Sequence, residues 1–362
     1  VEVFDRADST EEFQAMFSVR GKALYTKMDF LFKMIGEILN SSKLEDTKRL
    51  YEIVASVKSR AQVNLTGAGH STAVLRAAAY SSPMAAFQDE MAGIGYYQFI
   101  EKLEKDFEQR KEETVEELCK LMKKILRPEN FMISYTGERE SLETVQKLAG
   151  AVKAGLGTEP VEKSKEKLTC TKKNEGFKTS GQVQYVAQTG NFKKKGLEYT
   201  GALDILKVIL SYDYLWQNVR VKGGAYGCMS GFSRTGEGYF VSYRDPNLER
   251  TMEVYEGIAD YLRNFTVSDR DMNKYIIGTM SNIDQPMTPS AKGDRSFNLY
   301  MNKVSAETIK KERLQILEAG QEDIRKLADV VEAVMKAGQV CVIGSEEKIE
   351  EAKDMFKNVT TF

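Results

Sequence analysis

A single histidine, His70, stands in 362 residues. That scarcity excludes several chemistries at once. HExxH and its inversion HxxEH each need two imidazoles, so neither zinc-peptidase motif can be completed here. Ser/His/Asp and Cys/His nucleophile systems would all have to use the same residue, which sits in the stretch GHSTAV and reads as a turn residue. Cysteine is sparse too. Cys119, Cys170, Cys228 and Cys341 are scattered with no CxxC pair, which argues against a disulfide scaffold or a thiolate zinc site and suits a reducing compartment. Aspartate and glutamate are plentiful but show no metal-ligand spacing. No metal site is therefore expected in this chain.

Charge of one sign is also missing: 52 basic residues face 53 acidic ones, a formal net charge of −1. No global field draws in nucleic acid or an acidic membrane. No apolar run approaches the ~20 residues of a membrane span. The opening VEVFDRADSTEEF has neither a basic n-region nor an apolar h-region, so no signal peptide is expected. The chain starts at Val1 without a methionine and is expected to be a piece of something longer. GxxxxGK[ST] is absent, which sets aside a nucleotide cradle.

What is present is enough apolar sequence, 42%, for more than one ordinary core at this length. Ala15, Phe17 and Val19 alternate as a strand within 13–19, and QVNLTGAGH reads as strand-like. AVLRAAAYSSP then leads as a strand to Pro83. Met84, Phe87, Met91 and Ile94 begin a long helical pattern. Phe131, Ile133 and Tyr135 predict another strand. Residues 153–181, rich in glycine and lysine, read as a linker. A second pass follows. It has a strand from Val183, a helix carrying Leu203, Leu206, Ile209 and Leu210, and a strand with Tyr239, Val241 and Tyr243. It ends with a strand at Val340 and Val342 and a last helix.

Lys58 and Lys222 lie 164 residues apart, as do Gly67 and Gly231; Pro83 and Pro246 lie 163 apart. These near-equal offsets predict two similar α/β units, 1–152 and 182–362. Short gaps between strands favour antiparallel pairing. The expected class is α+β, each unit a sandwich with helices on one face of its sheet.

The stretch RVKGGAYG, Arg220 to Gly227, admits two readings. In the first, Gly223 and Gly224 cap a helix, Arg220 complements its negative end and Tyr226 packs. In the second, Arg220 and Tyr226 point into a cleft and donate hydrogen bonds to a developing oxyanion, a task that suits guanidinium and phenol. The supposed equivalents in the first unit are Ser56 and Gln62, so the fold alone does not require the pair.

YLWQNVRVKGGAYG (Tyr214 to Gly227), SYRDPNLERT (Ser242 to Thr251) and YIIGTMSNIDQP (Tyr275 to Pro286) resemble the pitrilysin/insulinase family, in its presequence-protease branch. VKSRAQVNLTGAGHSTAVLRA and GIGYYQFIEKL resemble it as well. The resemblance implies an inverted-motif zinc metallopeptidase built of two halves that close like a clamshell around a peptide. This chain resembles the C-terminal half, and Zn²⁺ and a general-base glutamate would belong to the N-terminal half. It implies that Arg220 and Tyr226 bind substrate at the scissile carbonyl, and that this chain alone is inactive. The partners implied are the zinc-bearing half and a peptide, with no nucleic acid and no membrane. The expected compartment is a bacterial cytoplasm, or an organellar matrix if the source is eukaryotic. A non-catalytic scaffold subunit and a stand-alone peptide-binding module of the same fold remain as alternatives. Asp245-Pro246-Asn247 reads only as a strand-ending turn.

Overall fold

The computed structural model describes residues 1–161 and 168–362. Its centre is a six-stranded sheet. The strands are β3 (Glu175–Thr179), β4 (Tyr185–Asn191), β5 (Gly227–Phe232), β6 (Glu237–Tyr243), β7 (Gln339–Ser345) and β8 (Asn358–Thr361), in the order β5-β6-β4-β7-β3-β8. Ahead of them, β1 (Glu2–Asp5) and β2 (Phe13–Met16) form a separate antiparallel pair.

Period-2 alternation sends successive side chains of the central strands into two different cores. Val186, Phe240, Val340 and Val342 face one side, against Leu203, Leu206, Ile209 and Leu210 of the helix Ala202–Tyr212. The helix Gln321–Ala337 packs there through Ile324, Leu327, Val331 and Val334. Tyr185, Ala187, Val241, Cys341 and Ile343 face the other side, against Leu65, Ala73, Ala77 and Tyr97. All seven residues of β4 and of β7 are buried, as a sheet covered on both faces requires. Each large aliphatic side chain buried this way contributes about 1.5–3 kcal/mol.

The expected α+β class is borne out; several details change. The sheet is mixed, because β3 runs parallel to both β7 and β8 while the other ladders are antiparallel. Helices cover both faces, since the helix Gly69–Ala78 lies on the face opposite Ala202–Tyr212. QVNLTGAGH and AVLRAAAY are not strands: they complete the helix Thr47–Gly67 and form Gly69–Ala78. The long pattern after Pro83 is three helices, Pro83–Ala92, Ile94–Lys105 and Phe107–Ile125. Phe131, Ile133 and Tyr135 belong to no strand among the described residues. Residues 175–179 of the expected linker are β3, paired on both edges; residues 162–167 of it lie outside the described residues.

The near-equal offsets do not mark equivalent places. Lys58 is in mid-helix, whereas Lys222 ends a helical turn. Gly67 closes a helix and Gly231 lies within β5. Pro83 opens a helix, where Ser82 caps Ala85 N–H, whereas Pro246 follows β6. Helix-forming context overrode the short alternations, and the core joins residues 65–97 to the sheet of the later segment.

Candidate functional site

The helix Ala202–Tyr212 is followed by a π-helical turn, Trp216–Val221, in which Lys222 N–H donates to the Gln217 carbonyl at 3.0 Å. Such widened turns recur at functional sites. Here it brings Trp216 and Arg220 onto one side: the guanidinium carbon lies 4.0 Å from the Trp216 ring centroid. The turn ends in a left-handed glycine cap. Gly224 N–H donates to Arg220 C=O at 2.8 Å and Ala225 N–H to Val219 C=O at 3.1 Å. Gly224 supplies the left-handed backbone, φ +83°. A Cβ at Gly223 would collide with the Val219 carbonyl, so the sharp reversal needs both glycines.

The chain then rises into β5, with Tyr226 at its foot. Tyr226 N–H is shared between the carbonyls of Tyr243 (3.1 Å) and Arg244 (3.3 Å). Its ring meets Tyr243 edge-on at 5.8 Å, and behind Tyr243 stands His70, also edge-on, at 4.9 Å. The Tyr226 backbone is thus fixed while its side chain remains 66% exposed. The Arg220 guanidinium carbon lies 5.8 Å from the Tyr226 ring centroid. Among the described residues the Tyr226 hydroxyl has no hydrogen-bond partner and the Arg220 guanidinium no carboxylate. The structure therefore brings the two sequence-predicted site residues together, the phenol exposed and the guanidinium half-buried against Trp216. The glycine cap is as the first reading expected; the packed tyrosine is not.

Sequence reasoning missed what surrounds the pair. Asn247 Nδ2 donates to the Gly223 carbonyl at 2.6 Å, tying the SYRDPN stretch to the glycine turn. No local sequence signal marked this contact; the hairpin register, seen only in the structure, accounts for it. Its last pair is Gly227 with Tyr243, and the same register carried four residues further sets Gly223 opposite Asn247.

The described residues do not fit a zinc site. His70 Nδ1 is buried without a hydrogen-bond partner, between Tyr185 and Tyr243, and burial holds the imidazole below its ordinary proton affinity. Burial pushes the Cys228 thiol up to about 12 and Cys341 well above its usual range, away from the thiolate form a metal needs. No group of three or more His, Cys, Asp or Glu among the described residues is placed to hold a metal ion. No described helix is long and apolar enough to cross a membrane.

Residues 174–346 match the family model described as PreP C-terminal domain, and residues 1–103 the model described as Peptidase M16C associated. The chain belongs to the pitrilysin/insulinase (M16) family. Within it the similarity runs to the presequence-protease branch. The chain is 38% identical, over 98% of its length, to Protein HypA of Clostridium perfringens, covering 36% of that protein. It is 30% identical, over 94% of its length, to Presequence protease 1, chloroplastic/mitochondrial, of Arabidopsis thaliana, covering 32%. It thus spans about a third of the length of these M16 relatives. The same fold appears in a protease from Helicobacter pylori (TM-score 0.58, 15% identity, 88% of this chain and 76% of that one). It appears again in pitrilysin (TM-score 0.57, 14% identity, 88% of this chain and 33% of that one).

Proposed function

We propose that this chain is the C-terminal, metal-free part of a zinc-dependent oligopeptidase, and that Arg220 and Tyr226 donate hydrogen bonds to the carbonyl oxygen of the peptide bond under attack. One observation carries the reading: a free phenol and a free guanidinium are presented side by side on a backbone-locked turn. As water adds to a peptide carbonyl, negative charge grows on its oxygen. Donors already in place stabilise that charge without reorganising. A phenol O–H supplies one directional bond, and the planar guanidinium supplies a fork that stays charged. Stacking on Trp216 limits the arginine's rotamers, which lowers the entropy lost on meeting the substrate.

The metal and the activated water belong, in this reading, to a zinc-bearing half that closes over the turn; the lack of a fitting donor set among the described residues is consistent with that division of labour. An edge supports peptide binding. β5 is the terminal strand of its sheet and starts at the residue after Tyr226, so an extended substrate could pair along it by main-chain hydrogen bonds. Such recognition favours many sequences over one. The test is reconstitution. Peptide hydrolysis by the zinc-bearing half is timed with and without this chain; a large gain in kcat on adding the chain is expected, and no gain would overturn the proposal.

A further inference from the structure

We propose that the Asp245-Pro246-Asn247 turn is a positioning device that sets the aim of Arg220 and Tyr226; this rests on the donor role proposed for that pair. The two adjacent glycines, Gly223 and Gly224, have no side chains of their own to hold the turn. The restraint comes from across the hairpin. Asn247 Nδ2 donates to Gly223 C=O at 2.6 Å, 24 residues away in sequence. The same amide group and the Asn247 backbone N–H both donate to Asp245 Oδ1, at 3.3 and 2.9 Å, which fixes the orientation of the carboxamide.

Asp245 is fully buried. Thr251 Oγ1 donates to its Oδ2 at 2.6 Å, and its backbone exchanges hydrogen bonds with Gln184 at 2.7 and 2.9 Å. A Cβ built on Gly224 would lie 3.4 Å from Pro246 Cγ, so the proline ring closes the space beside the left-handed residue. A strand-ending turn needs only its own cap. This one places a buried carboxylate, with no cationic partner among the described residues, where it orients the Asn247 amide that holds Gly223. Asn247 touches no reacting atom; it acts through Gly223, which lies three residues from both Arg220 and Tyr226.

Asn247→Ala, and Asn247→Asp as a near-isosteric second variant lacking both amide donors, test this. Trp216 is the only tryptophan of the chain and lies against Arg220, so it reports on the turn without any need for activity. Both variants should shift Trp216 emission and raise its quenching by acrylamide. In the enzyme assembled with the zinc-bearing half, kcat should fall on the order of 10–100-fold with KM changed less than about 2-fold, as expected for misaimed donors. In a Tyr226→Phe background the further loss should be much smaller, because the two changes remove one function.

An unchanged kcat, or an equal fold-loss in both backgrounds, would overturn the positioning role. If Tyr226→Phe itself proves silent, the donor role falls instead, and Trp216 quenching alone decides whether Asn247 holds the turn: altered quenching supports it, unaltered quenching ends it.

Discussion

Arg76 and Glu175, 99 residues apart, are joined by two hydrogen bonds: Nε to Oε2 at 2.6 Å and Nη2 to Oε1 at 3.0 Å. Arg76 also donates to Asp89 at 2.5 Å, and Tyr80 donates its hydroxyl to Glu175 at 3.0 Å. All four side chains are buried. Burial opposes the charge on Arg76, but the bond to Glu175 and the field of Asp89 outweigh it and raise its proton affinity. This cluster binds the helix Gly69–Ala78 to β3.

Arg76→Ala should therefore destabilise the chain by about 3–5 kcal/mol, because two buried carboxylates lose the cation they share, the only one paired with them among the described residues. Denaturant unfolding measures the loss. A change below about 1 kcal/mol, the scale of an exposed ion pair, would mean that the cluster does not join the two parts.

His70 gives a pH signature. Burial lowers its folded-state proton affinity, so between that lowered value and the ordinary one near pH 6.5 the unfolded chain binds more protons. Its contribution is present above about pH 6.5 and is lost as pH falls. Wild type should lose more stability than His70→Gln between pH 7 and pH 5. Identical stability–pH curves would remove His70 from the account.

Arg220→Lys keeps the charge but loses both the planar fork and the stack on Trp216. In the assembled enzyme kcat should fall on the order of 10²-fold with KM little changed. Steady-state kinetics on one peptide checks this. A rise in KM alone would assign Arg220 to ground-state binding.

The isolated chain should carry no stoichiometric zinc, since no described group of side chains is placed to ligate it. Elemental analysis after dialysis checks this. About one tightly held zinc per chain would contradict it.

The later part of the fold was legible because its strands are long and flanked by turn residues. Tyr239, Val241 and Tyr243 do alternate along β6, and the glycine cap after Arg220 is where its sequence placed it. The earlier part misled for a physical reason. In QVNLT, Val63 and Leu65 alternate as a strand would, yet Val63 is 68% exposed and Leu65 buried because each sits on a different side of one long helix. Three matched spacings suggested a duplication, but a glycine that ends a helix and one within a strand obey different constraints. At the candidate site, Arg220 and Tyr226 were legible from residue type and resemblance. The support from Asn247 was not, because it depends on a hairpin register that takes effect only once β5 and β6 pair.

The proposed role of the Arg220–Tyr226 pair stands or falls most directly on Tyr226→Phe. The change removes one exposed hydroxyl that has no partner among the described residues, so the fold and its melting temperature should be unaffected. The zinc-bearing half is mixed with wild-type chain or with Tyr226→Phe, and turnover of one peptide is timed at saturation. A donor to the developing oxyanion should be worth ~10²–10³ in kcat, about 2.7–4 kcal/mol, with KM almost unchanged. Equal kcat in the two mixtures would contradict the assignment and leave Tyr226 an exposed ring beside a helix cap.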